Sequence, residues 1–230
     1  ITVLSGRFED LRRVFDRLGG GDLRIQAILI AFCFGGLLEA LAGFGAPVAI
    51  TATMILSLGV KPLKAAVTVL IANTAPVAFG AVAVPITTAA DVGGKDAHVI
   101  ATIVGHQAPF LAMLVPLILL VILDGMQGLK DAWLPALVIG VSFAIAQWVT
   151  AATPAYNLTD VVACIVSMGV AVIFLRFWKP RGVAGVRERY GLPAQSEEKE
   201  ALPAVRVWMA LLPYVCLLYT SDAADERSSV

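Results

Sequence analysis

Long apolar runs alternate with short charged stretches along this chain, and the runs are helix-length rather than strand-length. Ile25 to Leu41 is apolar except for Gln26 and Glu39, and at about 1.5 Å per residue it covers most of a hydrocarbon core of about 30 Å. It breaks at Gly43-Phe44-Gly45-Ala46-Pro47 and resumes from Val48 to Val60, ending at Lys61-Pro62-Leu63-Lys64. Ala65 to Ile86 follows, interrupted at Asn73-Thr74-Ala75-Pro76, and a polar loop runs from Thr87 to Asp96. Ala97 to Leu123 predicts one long helix bent at Pro109 and Pro116, closed by a glycine-containing turn from Asp124 to Asp131. Ala132 to Thr150 and Thr159 to Trp178 predict two further spans.

Composition sharpens this plan. Hydrophobic residues make up 59% and charged residues 15%, and the mean hydropathy of +0.85 lies outside the globular range. The expectation is an all-α polytopic membrane protein. It has about four full transmembrane helices, a re-entrant or paired-helix hairpin over 25–60 and a broken helix. Lys plus Arg and Asp plus Glu balance at 17 each, so no nucleic-acid partner is indicated. Cys33, Cys164 and Cys216 all sit in apolar segments without a close pair, which points to small buried hydrophobes rather than a disulfide or zinc site. No metal or cofactor is expected.

The charges define the regions. Residues 1–24 predict a cytoplasmic arm, in which Phe8, Leu11, Phe15 and Leu18 recur at helical spacing among arginines, as in a helix lying on a membrane surface, followed by Gly19-Gly20-Gly21. Residues 25–178 form the transmembrane region, 179–205 a cytoplasmic loop, and 206–220 the start of a further apolar helix. Residues 221–230 read as a non-native tail. If the 25–60 hairpin makes no net crossing, every Lys and Arg from Arg7 to Arg206 except Lys95 falls on one side. The positive-inside rule makes that side the cytoplasm.

The two interruptions are the candidate site. Backbone freed by a break inside an apolar helix must be satisfied within protein or line a wet cavity, and paired broken helices are the plan of a secondary transporter's binding site. Ala46-Pro47 and Ala75-Pro76 each read as a half-helix start with proline at its first position. Two such starts brought together would favour an anion by about 0.3–1 kcal/mol each, up to about 2 when partly buried. Gly43, Phe44, Gly45, Ala46, Asn73, Thr74 and Ala75 are therefore the candidate substrate-binding residues. The alternative for Asn73 and Thr74 is that they only cap the break. Glu39, within a turn of the first break, is a costly intramembrane acid and a candidate proton carrier, or else a structural hydrogen-bonding group. His106, midway along the long helix, could exchange protons in the same cavity, or simply satisfy a neighbouring helix. Asp124, Trp133 and Trp148 read as structural.

The strings Ala31-Phe32-Cys33-Phe34-Gly35-Gly36-Leu37-Leu38-Glu39, Ala42-Gly43-Phe44-Gly45-Ala46-Pro47-Val48-Ala49-Ile50-Thr51 and Asn73-Thr74-Ala75-Pro76-Val77-Ala78-Phe79-Gly80-Ala81 closely resemble the L-lactate permease family. So do Asp124-Gly125, Gly128, Trp133, Pro135 and Ser142-Phe143-Ala144-Ile145-Ala146-Gln147, in one register from about Ile25 to Trp178. The resemblance implies secondary transport of lactate and related 2-hydroxymonocarboxylates such as glycolate, by proton symport across the plasma membrane, with no enzymatic activity. It further implies one repeat of a larger transporter, whose partner half lies elsewhere in the same polypeptide, with membrane lipid around it. The family commonly has an arginine where His106 precedes Gln107, so His106 is a departure. A transporter or channel for another small organic anion is the alternative. An intramembrane hydrolase is remote: Ser142 in Gly140-Val141-Ser142-Phe143 lacks the second flanking glycine, and no intramembrane aspartate pair stands out.

Overall fold

The computed structural model describes residues 14–16, 18–43, 46–178 and 182–190, which are helical apart from turns and short connections. The expected arm residues 1–13, Phe44, Gly45 and everything from 191 onward lie outside the described residues. Among the described residues four helical stretches are long and apolar enough to cross a membrane: Leu23–Ala42, Pro76–Gly93, Ala97–Ala151 and Tyr156–Phe177.

Helix α1, Leu23–Ala42, is the axis of the fold; 83% of its apolar window is buried, so it is sheathed by protein rather than by lipid. Asp22 caps it, its carboxylate accepting from the Arg24 N–H at 2.8 Å. Its stretch Leu29–Phe34 is π-helical. The 20-residue α1 is about 30 Å long, whereas its return limb α2, Ala46–Ser57, has 12 residues and covers about 18 Å. The hairpin thus pairs one full-length limb with one short one. Phe15 of the arm is buried against the Phe34 ring at 5.3 Å, so this part of the arm packs into the protein instead of resting on a lipid surface.

Helix α3, Pro62–Ala72, ends at the second break, and α4, Val84–Gly93, resumes beyond it. Helix α5 runs from Ala97 to Ala151 under an Asp96 cap. Non-helical backbone at Gly125 (φ 66°, ψ −156°) and Ala132 (φ −134°) folds it into two arms. The fold-back occurs at these two residues; Pro109 and Pro116 lie within continuous helix. A Cβ on Gly140 would sit 2.3 Å from the Met113 carbonyl oxygen, and one on Gly105 2.4 Å from the Ala151 Cβ. The arms are therefore antiparallel and in backbone contact, as small residues permit where no hydrophobic force separates protein from lipid. Helix α6, Thr159–Phe177, packs along the second arm, its Ser167 hydroxyl donating to the Ile139 carbonyl at 3.0 Å. Helix α7, Val183–Arg189, lies past its end.

One end of this assembly gathers the charges. The Arg24 guanidinium, 0% exposed, bonds Asp22 (2.8 and 3.1 Å), Asp124 (3.1 Å) and Asp131 (3.4 Å). Lys64 donates to the Leu123 carbonyl at 3.2 Å, Arg189 pairs with Asp124 at 3.0 Å, and Tyr190 donates to the Leu123 carbonyl. The opposite end carries Asp96, His98 and Tyr156, with the His98 Nε2 at 3.2 Å from the Ala152 carbonyl. Arg24, Lys64 and the α5 turn therefore share one side, as the charge distribution requires. Between the ends, large side chains such as Leu111 and Ile165 lie open, as expected of a surface facing lipid or further protein.

Candidate functional site

The second break is built by backbone that cannot continue as helix. Pro76 lacks the N–H that would extend α3, and Asn73, Thr74 and Ala75 donate back to Val69, Ile71 and Ala72 carbonyls at 2.9, 3.1 and 3.4 Å. The Thr74 hydroxyl also donates to Ile71, at 2.6 Å. Pro76–Ala78 forms only a three-residue 3-10 turn, Gly80 has φ 60°, and Val82 and Ala83 adopt left-handed conformations that non-glycine residues rarely hold. The half-helix expected at Ala75-Pro76 does start there, with proline at its first position, but it runs for only three residues before Gly80 turns the chain. The next true helix begins at Val84.

The first break is sharper. Gly43 has φ 58° and ψ −163°, donates its N–H to the Glu39 carbonyl at 2.9 Å, and would place a Cβ 2.9 Å from that of Ala81. Only glycine fits both the dihedral and the contact. The two breaks therefore touch. Two turns earlier a Cβ on Gly36 would lie 2.9 Å from the Cys164 Sγ and 3.9 Å from Pro76. Helix α5 rises about 42 Å between Asp96 and Asp124, and the Gly36–Cys164–Pro76 contact falls close to the middle of that height.

Between these contacts sits Glu39, 8% exposed. Asn73 is its polar neighbour across the two breaks, and its Oε2 has no hydrogen-bond partner. The structure thus brings Glu39, Gly43, Asn73 and the 75–76 turn together. Thr74 lies at the exposed side of the break, Phe44 and Gly45 fall outside the described residues, and Ala46 opens α2. His106 is elsewhere. It hydrogen-bonds the Thr102 carbonyl at 2.6 Å and meets Trp148 edge-on at 6.1 Å. It borders an apolar cavity of about 360 Å³ with Pro109, Phe110, Met113, Ile145 and Trp148, lined by α5 alone. Glu39 is not among the residues that line this cavity.

Two polar groups escaped the sequence reading. Thr68, buried on α3, has an unpartnered hydroxyl. Asp160, 2% exposed, accepts from Gln147 Nε2 at 2.9 Å inside the α5–α6 contact. The signal was present as an acid two residues into an apolar span. At that position, however, an aspartate also reads as an ordinary partner of the helix dipole. Among the described residues no group of three or more His, Cys, Asp or Glu side chains could hold a metal ion.

Helices interrupted at adjoining points inside an apolar bundle, with an acid between them, define the class as a segment of a multi-pass membrane protein built on broken helices. Residues 1–221 match the family profile of L-lactate permease, and the chain belongs to that family. It is 42% identical to the L-lactate permease of Bacillus subtilis (strain 168) over 94% of this chain and 39% of that protein. It is 47% identical to glycolate permease GlcA of Escherichia coli (strain K12) over 79% of this chain and 32% of that protein. The L-lactate permease of the same strain is 43% identical over 78% of this chain and 32% of its own length. The chain thus spans about a third of the length of the curated relatives it matches. No solved structure matches. Family and apolar helices together make it a multi-pass plasma-membrane protein.

Proposed function

We propose that the full-length protein carries L-lactate and related 2-hydroxymonocarboxylates such as glycolate across the plasma membrane together with a proton, and is not an enzyme. Relatives named L-lactate permease and glycolate permease support the substrate class. The observation that carries the mechanism is Glu39, a buried carboxyl with one unpartnered oxygen beside Asn73 and the paired breaks.

Gly43, Phe44, Gly45, Ala46, Asn73, Thr74 and Ala75 are assigned to the anion. The α2 start contributes the positive end of a 12-residue helix, and the Asn73 amide, placed beside Glu39, is the donor for the substrate hydroxyl or carboxylate. Coupling then follows from charge. An ionised Glu39 about 6 Å from a bound carboxylate, at an effective dielectric near 20, opposes it by about 3 kcal/mol, roughly a hundredfold in affinity. A protonated Glu39 removes that opposition, so anion and proton load together. A second pair of broken helices, in parts of the protein these residues do not cover, would complete the site. His106 is left with a hydrogen-bonding role in its own groove.

The test is uptake of labelled lactate by the full-length protein in proteoliposomes. An inward proton gradient should drive accumulation, and Glu39→Gln should abolish accumulation while retaining lactate–lactate exchange. Undiminished accumulation by Glu39→Gln would remove Glu39 from the coupling step.

A further inference from the structure

The Gln147–Asp160 pair is an incomplete hydrogen-bonded ring. Gln147 is 0% and Asp160 2% exposed, and a single bond joins them, Gln147 Nε2 donating to Asp160 Oδ1 at 2.9 Å. Each group has one oxygen left over, Oε1 of the amide and Oδ2 of the acid, and both are buried without a partner. Two acceptors on already bonded groups cannot satisfy one another. A carboxylic acid and a primary amide, by contrast, are complementary: the amide N–H donates to one acid oxygen and the acid O–H donates to the amide oxygen. The one component missing from the ring is a proton on Oδ2.

The location matters as much as the chemistry. Cys33 Sγ lies 3.6 Å from Ser167 Oγ, and Gly36 faces Cys164, so each step up α1 is matched by an equal step back along α6. One further turn sets Ala40 opposite Asp160. Glu39, beside the paired breaks, is the neighbour of Ala40 on the same helix. The groups that face Asp160 are Gln147 on the second arm of α5, Cys164 one turn along α6, and the Glu39–Ala40 level of α1. Among the described residues no Lys, Arg or His acts on it. An ionised Asp160 would thus be a buried charge with one hydrogen bond and no counter-ion, a costly arrangement inside a membrane protein.

We propose that Asp160, held by Gln147, is a second proton-binding site of the carrier, at the level of Glu39 and across α1 from it. The inference rests on the proton-coupled transport reading. The step is simple addition: the Asp160 carboxylate takes a proton on Oδ2, the O–H closes the ring onto Gln147 Oε1, and release reopens it.

Asp160→Asn tests this without breaking the pair. The asparagine amide donates to Gln147 Oε1 and its carbonyl accepts from Nε2, so both ring bonds persist but no proton can leave. In the full-length protein the expected results are retained lactate–lactate exchange and loss of accumulation driven by a proton gradient. Infrared difference spectra of the unmodified protein between low and high pH should show a protonated-carboxyl C=O band that persists in Glu39→Gln, is lost in Asp160→Asn and is displaced in Gln147→Leu. Accumulation by Asp160→Asn equal to that of the unmodified protein would mark a permanently neutral structural acid and overturn the proposal, as would a spectrum without that band. Accumulation that requires sodium in place of a proton gradient would overturn it too. Failure of the unmodified protein to move lactate would instead sink the transport reading, while the infrared result still judges Asp160.

Discussion

Replacing Arg24 by methionine should be among the most damaging single changes in the described region. Arg24 is fully buried and serves three carboxylates, Asp22, Asp124 and Asp131, of which the first is 0% and the second 5% exposed at the side chain. Methionine fills much of the space of the arginine stem and removes the charge, so two nearly dry carboxylates lose their shared cation. Removing one partner of a buried ion pair costs about 3–5 kcal/mol, two to four orders of magnitude in the folded-to-unfolded ratio. Arg189, 47% exposed, also pairs with Asp124 and cannot take over, because it reaches from solvent and does not contact Asp22. The assay is chemical or thermal denaturation of the full-length protein in detergent, run as a cycle with Asp22→Asn and Asp124→Asn. Arg24→Met should lose most of the cluster's stabilisation. The triple variant, in which the partly solvated Asp131 is the one carboxylate of the cluster still charged, should recover the larger part of it. A neutral single variant, or a triple variant no better than the single, would show that shape rather than charge compensation holds this end together.

Other changes probe separate links. Gly140→Val should prise the α5 arms apart, since even a Cβ would meet the Met113 carbonyl oxygen at 2.3 Å; a loss of about 1–3 kcal/mol or more is expected in the same melts. Gly43→Ala carries a left-handed dihedral and a 2.9 Å approach to Ala81, so transport should fall further than stability, read as initial uptake rate against melting temperature. Burial and the nearby Asp124 raise the Tyr190 hydroxyl above its ordinary value, with Arg189 opposing. Its contribution is therefore fully present below about pH 10 and is lost as pH rises through the folded value. Tyr190→Phe should flatten that alkaline limb of the stability curve.

Helix-length apolar runs and the Lys/Arg asymmetry were enough to read a polytopic all-α chain, its side-to-side order and its two breaks. These properties depend on local periodicity and on the exclusion of charge from lipid. The motif strings around Glu39 and Asn73 carried the family for the same reason, being continuous in sequence. Three matters were decided only by packing. The half-helix expected to start at Ala75-Pro76 runs only three residues, because Gly80 diverts the chain. His106 parted from Glu39 because the α5 arms close on each other at Gly105 and Gly140 and enclose a groove of their own. Asp160 met Gln147 across an antiparallel helix contact, and Arg24 met Asp124 and Asp131 a hundred residues away. A polar residue's cost in an apolar span can be read from its neighbours in sequence. Which partner meets that cost is set by helix register and rotation, which only the assembled bundle defines.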